Sequence, residues 1–230
     1  MKIPIPEQEA RFEYELLVFQ NEVHEAMQCF YIWRALKKAA PKSRKLLNQL
    51  NRDIDFWKTV DNSVQSNSLI VLGRIFDKAK TNNIQRLLNL ATSSSAIFSK
   101  AAFRARAEKR NPNASHIVDG LMERVKEPAG ADFRKLEEFV AARRRVYDKC
   151  YGQIRDKRFA HRERGADLNG IYALTNTTEL SRLLTDLKRL HDGLWDWYHN
   201  GIKPQMSRRT SSTTGKDIEA KMLKFLRSLP

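Results

Sequence analysis

Apolar residues recur every three or four positions along most of the chain, and no segment shows the convincing apolar–polar alternation of a half-buried strand. This spacing predicts a first helix from about Glu7 to Lys38, which Pro41 ends. It predicts a second long helix from about Ile54 to Lys80 and a last one from about Thr178 to His199. Shorter helices are predicted within SRKLLNQL, NIQRLLNLA, IFSKAAFRARAEKR and HIVDGLMERVK. The pattern therefore predicts an all-α protein.

A further helix, of about 30 residues, is predicted from near Asp132 into the segment YGQIRDKRFAHRERG. At ~100° of rotation per residue, its apolar residues form one stripe about 120° wide. The stripe consists of Phe133, Leu136, Phe139, Val140, Tyr147, Cys150, Tyr151 and Ile154. Arg158 and His161 take the next two positions on it, and Arg155 lies at its edge. Because a merely solvated run of charges would lie on the opposite face, this pattern favours a cationic, titratable site at the end of the helix.

The chain is expected to have one large domain followed by a short basic region. Residues 1–205 are predicted to form a helical bundle domain. Residues 206–230 contain the polar stretch SRRTSSTTGK, predicted to be a mobile linker, and a short amphipathic helix within IEAKMLKFLRSL. This last helix can dock on the bundle or wait for a partner, and the sequence leaves both alternatives open.

The charge of the chain favours a polyanionic partner. The formal net charge is +15 and the sequence pI is about 10.0, an excess that suits nucleic acid or an anionic membrane surface. The distribution is uneven, because residues 1–32 carry a net charge of −4 whereas residues 131–164 and 201–230 each carry +5. The acidic first helix can therefore pair with basic parts of the chain, within one subunit or between two.

Other features of the sequence indicate which partners to exclude. Cys29 and Cys150 lie on apolar stripes of predicted helices, and no cluster of residues has the spacing of a metal site or a disulfide framework. We therefore expect no metal and no other cofactor. The segment MKIPIPEQEA lacks the apolar region of a signal peptide, and the longest strongly apolar run, LIVLG, is too short to span a bilayer. These features predict a cytoplasmic protein without a membrane partner.

The residue types at the end of the helix that starts near Asp132 suit the cleavage of RNA without a metal ion. Such cleavage needs a base for the 2′-hydroxyl proton, an acid for the leaving oxygen, and positive charge on the phosphate. His161 can make either proton transfer near neutral pH. The planar guanidinium of Arg155 matches two phosphate oxygens, and Asp156 can orient the arginine or the imidazole.

Two segments carry a resemblance to a known family. RDKRFAH, Arg155 to His161, matches the Arg-polar-x(4)-His signature of the HEPN superfamily, and IRDKRFAHRE resembles its branch of phage abortive-infection proteins. Upstream, SNSLIVLGRIFDK is similar to the corresponding helix of that branch, with its serine-rich start and its Arg-x-x-Asp end. With the order of the helices, the resemblance covers residues 10 to 200 approximately. The expected fold is an all-α, HEPN-like helical bundle with additional short helices and a basic C-terminal extension.

The resemblance implies a function as well as a fold. HEPN proteins usually dimerise, and many are metal-independent endoribonucleases of toxin–antitoxin or antiviral systems, with a composite active site at the dimer interface. The resemblance implies that Arg155 stabilises the transition state and that Asp156 helps to hold this arginine. It also implies that His161 is the general acid or base. It also implies a 2′,3′-cyclic phosphate product, a homodimer, RNA as the substrate, and a possible protein antitoxin as a partner.

Several alternatives stay open on the sequence. Lys157, Arg158 and Arg162 are assigned to RNA binding through phosphates, although simple solvated charge also explains them. RNPNASH, Arg110 to His116, has the same spacing as the signature, but Pro112 and the asparagines place it in a predicted loop, so Arg155 and His161 are preferred. The alternative function is a non-catalytic basic helical module that binds RNA or protein through charge.

Overall fold

The fold is all-α. The structure is a computed structural model that describes residues 5–77, 83–110, 112–113, 115–160, 175–206 and 213–228. Its α-helices are α1 (Ile5–Ala39), α2 (Arg44–Arg52), α3 (Ile54–Phe76), α4 (Ile84–Ser93), α5 (Lys100–Arg110), α6 (Ser115–Met122), α7 (Gly130–Tyr147), α8 (Thr177–Asn200) and α9 (Thr214–Ser228). Two short 3-10 helices, Ala40–Lys42 and Ser95–Phe98, lie between them. The predicted fold class is confirmed, and no helix of the described residues is long and apolar enough to cross a membrane.

The helix bounds agree with the sequence pattern except where a cap or a turn interrupts it. Helix α3 ends at Phe76 rather than at Lys80, which lies outside the described residues. The predicted single helix in IFSKAAFRARAEKR is divided, because Ser99 is extended and its hydroxyl accepts a hydrogen bond from the backbone N–H of Ala102 at 3.2 Å. Ser99 therefore caps a new helix, α5, instead of continuing the preceding turn.

The long helix that was predicted from Asp132 changes its winding near its end. Helix α7 ends at Tyr147, and two π-helical segments follow, Asp148–Gly152 and Arg155–Ala160. Hydrogen bonds from i to i+5 place more residues in each turn than an α-helix does. Residues 130–160 are thus helical over about the predicted length, but they do not keep the regular α-helical winding on which the predicted side-chain angles depend.

The contacts divide the described chain into two compact units, each with its own core. Unit 1 comprises the described parts of residues 1–20, 76–144 and 186–210. Its centre is an aromatic cluster, in which the ring of Phe98 lies 5.1 Å from Phe12 and 4.5 Å from Trp197, and Phe133 lies 5.0 Å from Trp197. Each such pair contributes about 0.5–1.5 kcal/mol beyond the burial of its surface. Gly201, with φ +68°, ends α8 and donates its N–H to the carbonyl of Trp197 at 3.2 Å.

Unit 2 comprises the described parts of residues 21–75, 145–185 and 211–230, and it contains the terminal helix α9. Leu226 of α9 is buried with Leu36 and Leu46. The carboxylate of Glu219 accepts hydrogen bonds from Arg34 Nε at 2.9 Å and from Lys38 Nζ at 2.8 Å. Burial by itself raises the pKa of the Glu219 carboxyl group, but the two cations lower it by more. The pKa of Glu219 therefore lies below its usual value.

Helix α9 is therefore docked on α1 and α2, which is one of the two alternatives that the sequence left open. Gly215 makes this close approach possible, because a methyl carbon at its position would lie 2.1 Å from the ring carbon Cζ of Tyr31. The boundary between residues 1–205 and 206–230 stays a prediction.

The acidic face of α1 pairs with arginines of the next helices along the chain. Four carboxylates of α1 make ion pairs with other helices of their own unit, and the pairs are Glu9–Arg106, Glu15–Arg86, Glu22–Arg74 and Glu25–Arg74. These arginines belong to α3, α4 and α5, and none comes from the basic stretches 131–164 and 201–230. The acids of α1 therefore neutralise the helices packed beside them.

Candidate functional site

The apolar stripe that leads to the candidate site is buried as the sequence predicts. All eight residues of the stripe are at most 7% exposed: Phe133, Leu136, Phe139, Val140, Tyr147, Cys150, Tyr151 and Ile154. Ile154, the last of them, is 1% exposed and directly precedes Arg155, the first residue of the second π-helical segment. Single π-helical turns occur frequently at functional sites. The stripe thus ends in a cationic segment whose backbone departs from the regular helix.

Arg155 and Asp156 form an ion pair at the start of this segment. Arg155 donates from Nε to Oδ1 of Asp156 at 2.7 Å, and its Nη2 lies 2.5 Å from the same oxygen. The side chain of Arg155 is 29% exposed and that of Asp156 is 49% exposed. The guanidinium is therefore both held by a carboxylate and reachable by a phosphate group from solvent.

The stem of Arg155 lies directly against α3, in the segment SNSLIVLGRIFDK. A methyl carbon built at Gly73 would lie 2.4 Å from Cδ of Arg155 and 2.5 Å from its Nη1. Both distances are shorter than any real contact of this kind, so the arginine occupies space that only a glycine leaves open. Two chain segments that are distant in sequence therefore meet at the arginine side chain, and the missing side chain of Gly73 leaves room for it.

The structure describes the other predicted site residues only in part. Lys157 is half-buried within the π-helical segment, and Arg158 belongs to the same segment by its backbone. His161 and Arg162 lie outside the described residues, and His161 follows Ala160, the last residue of the segment. The structure thus brings together Arg155, Asp156 and Gly73, and the partnership of Arg155 with His161 stays a prediction.

The neighbouring nucleophilic side chains are held in their neutral forms. Burial raises the pKa of the Cys150 thiol, and the nearby Glu179 raises it further. Burial also raises the pKa of Tyr151, whose hydroxyl donates a hydrogen bond to the carbonyl of Asn176 at 2.9 Å. A neutral thiol is a poor nucleophile and a neutral phenol is a poor base near pH 7. Neither residue is therefore suited to accept a proton near neutral pH.

A protein-family model described as HEPN_AbiU2, AbiU2, matches residues 11–221, which is most of the chain. The chain belongs to the HEPN AbiU2 family. No curated protein and no solved structure matches the chain. Membership confirms the resemblance to the abortive-infection branch of the HEPN superfamily and makes the chain an abortive-infection-type HEPN module.

The second copy of the HEPN signature in this AbiU2-family protein lies elsewhere. Arg110 is the last residue of α5, and His116 is the second residue of α6, so the match spans a connection between two helices, as predicted. Arg110 donates from Nη2 to the carbonyl of His199 at 3.0 Å, and the side chain of His116 is exposed. Arg110 is thus engaged in holding the end of α8 within unit 1, which gives it a structural task.

His191, which lies among the leucines of α8, is a core histidine of unit 1. It is 7% exposed, and its Nδ1 lies 3.1 Å from Oδ1 of Asp192. Burial raises the pKa of Asp192, but the hydrogen bonds from His191 and Lys188 outweigh it, so the net pKa is lowered. These contacts give His191 a structural role among buried leucines.

Gly73 is the residue of the candidate site that the sequence analysis missed. Its signal was a lone glycine inside a strongly helical apolar segment, where glycine costs about 1 kcal/mol relative to alanine. Such a glycine usually has a packing reason, but the periodicity gives no information on what approaches it.

Among the described residues, no three His, Cys, Asp or Glu side chains form a set of metal ligands; a metal-free mechanism stays a prediction.

Proposed function

We propose that this protein is a metal-independent endoribonuclease of the HEPN type, which acts as an abortive-infection toxin. The observation that carries the proposal is the position of the Arg155 guanidinium at the end of a buried stripe. An ion pair with Asp156 orients the guanidinium, and the missing side chain of Gly73 leaves room for it. The guanidinium lies within the signature motif of a chain that belongs to the AbiU2 family. His161, six residues further along, supplies the titratable group.

The reaction breaks the phosphodiester bond by attack from within the RNA. A base removes the proton of the 2′-hydroxyl, the 2′-oxygen forms a bond to phosphorus, and the bond from phosphorus to the 5′-oxygen breaks. An acid gives a proton to the leaving 5′-oxygen, so the products are a 2′,3′-cyclic phosphate and a 5′-hydroxyl end. His161 performs one of these proton transfers in this proposal.

Two proton transfers are needed, whereas each chain has one histidine in this motif. A homodimer supplies the second imidazole from the other subunit, and this is the composite site that the proposal assigns to the protein. Arg155 neutralises the additional negative charge that develops on the phosphorus oxygens in the transition state. Asp156 keeps the guanidinium oriented, since two of its nitrogens, Nε and Nη2, contact the same carboxylate oxygen.

The proposal is tested by incubating the purified protein with single-stranded RNA in the presence of EDTA. We expect cleavage that leaves 2′,3′-cyclic phosphate and 5′-hydroxyl ends, which end-specific labelling or mass spectrometry identifies. Products with 5′-phosphate ends would point to attack by water instead. Such ends, or the absence of cleavage at any salt concentration, would overturn the proposal.

Changing Gly73 to alanine is expected to lower the cleavage rate by about 10- to 100-fold, because misplacement by about 1 Å is enough for a loss of that order. The new methyl group would force Arg155 to move, since it would lie 2.4 Å from Cδ. Stability is expected to change by less than about 1 kcal/mol, since alanine favours the helix and a flexible side chain yields easily. Single-turnover cleavage and urea unfolding measure the two quantities.

The matched control is Gly120→Ala in α6. A methyl group there would meet no heavy atom of the described chain within 4 Å beyond its own helix. This variant is expected to cleave RNA like the original protein. An unchanged rate for Gly73→Ala would show that the position of Arg155 against α3 is irrelevant to activity.

A second candidate function is binding without cleavage, which a cationic groove in unit 2 favours. This groove has a volume of about 480 Å³, and Lys38, Lys42, Lys45 and Arg227 line it beside Glu219. A protein with this function would bind RNA with an affinity that falls steeply with salt. His161→Ala would leave that affinity unchanged, and no product ends would form.

A further inference from the structure

Unit 2 contains a cavity beside the start of the π-helical segment that carries Arg155. Its volume is about 140 Å³. Most of its wall is apolar and is contributed by Phe30, Trp33, Leu69, Tyr151, Ile154 and Leu180. Three of these six side chains are aromatic, which suits the stacking or edge contact of a flat ring. The proposed cleavage chemistry involves none of these residues.

The size of the cavity limits what it can hold. An apolar cavity of about 150 Å³ holds one benzene molecule, so about 140 Å³ accommodates a single six-membered ring. A purine, with two fused rings, exceeds this volume. The cavity therefore favours a monocyclic ligand over a purine.

Polar groups at the cavity match the edge of a pyrimidine base. Gln65 lines the cavity, and its amide supplies both a donor and an acceptor. Ser68 donates its hydroxyl proton to the carbonyl of Ala26 at 3.3 Å, which leaves its oxygen able to accept. Asn176 accepts from the N–H of Thr178 at 2.7 Å through Oδ1, which leaves its amide group as a donor for a ring carbonyl. A hydrocarbon ring would use none of these groups.

The position of the cavity relates it to Arg155. Ile154 lines the cavity, and Arg155 is the next residue. On α3, Leu69 lines the cavity, whereas Gly73 contacts the stem of Arg155. Four residues of α-helix correspond to about 6 Å. The cavity and the guanidinium therefore lie at consecutive turns of the same two elements. This spacing suits a base and the phosphate next to it in one RNA strand.

We propose that this cavity binds one pyrimidine base of single-stranded RNA next to the phosphate that Arg155 contacts. The inference rests on the proposed nuclease function for its substrate and adds a preference for pyrimidines. Proteins read single-stranded RNA by drawing an unstacked base against aromatic side chains and bonding to its edge. Because the amide of Gln65 can turn to present either its oxygen or its nitrogen, the cavity accepts both uracil and cytosine.

The test is a binding titration of the full chain with nucleoside 3′-monophosphates, followed by calorimetry. Uridine and cytidine 3′-monophosphates are expected to bind at least about tenfold more tightly than the adenosine and guanosine compounds. The variant Leu180→Phe fills the cavity, and Gln65→Leu removes its central amide. Each is expected to weaken pyrimidine binding at least about tenfold, and circular dichroism verifies that each variant folds.

The control is Asn62→Leu, an exposed position on the same helix as Gln65, which is expected to bind like the original protein. Equal affinity for purine and pyrimidine nucleotides overturns the inference, as does pyrimidine binding that Gln65→Leu leaves unchanged. Binding of toluene in the absence of any nucleotide binding also overturns it. If Leu180→Phe does not fold, Gln65→Leu decides the question.

This titration separates the inference from the proposed function. Cleavage of RNA together with equal affinity for all four nucleotides overturns the pyrimidine site and keeps the nuclease. Selective pyrimidine binding by a protein that cleaves no RNA supports the site and overturns the nuclease.

Discussion

Replacing His161 with alanine is expected to lower the rate of RNA cleavage by about 10²- to 10⁴-fold, the usual contribution of one general acid or base. Without the imidazole, water must accept the 2′-hydroxyl proton or protonate the leaving oxygen. The affinity for RNA is expected to change little, because the proton moves only in the transition state. Single-turnover cleavage of a labelled oligonucleotide in EDTA measures the rate, and a filter-binding titration measures the affinity.

The chain offers a matched control for this experiment in His116, the histidine of the second copy of the signature. Its side chain is exposed at the start of α6. His116→Ala is expected to cleave RNA at the original rate. If His116→Ala loses activity and His161→Ala keeps it, the catalytic motif has been assigned to the wrong copy.

Replacing Arg155 with alanine is expected to lower the rate constant for cleavage by about 10²- to 10³-fold, the cost of losing one preorganised group that stabilises developing charge. Arg155→Lys keeps the positive charge but loses the planar fork that Asp156 orients. It is therefore expected to recover only part of the rate. The effect should fall on kcat more than on KM, because the charge that Arg155 neutralises is greatest in the transition state.

Arg110→Ala is the control for Arg155. It removes a contact to the carbonyl of His199 in unit 1, so a small loss of stability is expected without a loss of cleavage. An Arg155→Lys variant with full activity would assign Arg155 a role as a simple point charge. An Arg155→Ala variant with full activity would contradict its role in the transition state.

The fold was predictable because the helices are amphipathic over long stretches. Helix α8 shows this most clearly, since six leucines that recur at helical spacing along it are all buried: Leu180, Leu183, Leu184, Leu187, Leu190 and Leu194. The stripe of α7 and the following segments was predictable for the same reason. Burial repeats with the period of the helix, so the spacing of apolar residues reports it directly.

The errors at helix ends have local causes that periodicity does not detect. The hydroxyl of Ser99 divides a predicted helix into two elements, because a side-chain cap can end one turn and start the next. The π-helical segments after Tyr147 change the angle between successive side chains. The angles of an ideal α-helix therefore do not apply after Tyr147, although the stripe stays buried as far as Ile154.

Some features of the candidate site depend on residues that are neighbours along the chain, and others depend on contacts between distant segments. The signature motif, the adjacent pair Arg155–Asp156 and the family were accessible from short stretches of sequence, because each depends on residues that are neighbours along the chain. The contact of Arg155 with Gly73 joins distant segments, and spacing along the chain carries no information about such a contact. The docking of α9 through Glu219 and the cavity lined by Ile154 also depend on contacts between distant segments, so spacing along the chain does not predict them.

Local spacing thus specified the helices, their buried faces and the residues of the signature, since these depend on side chains within a few turns of one another. The packing of α3 against the segment after α7 specified where the guanidinium lies and how much space remains beside it. The reason is steric, because a single missing side chain at Gly73 opens a position for Arg155 that no local pattern encodes.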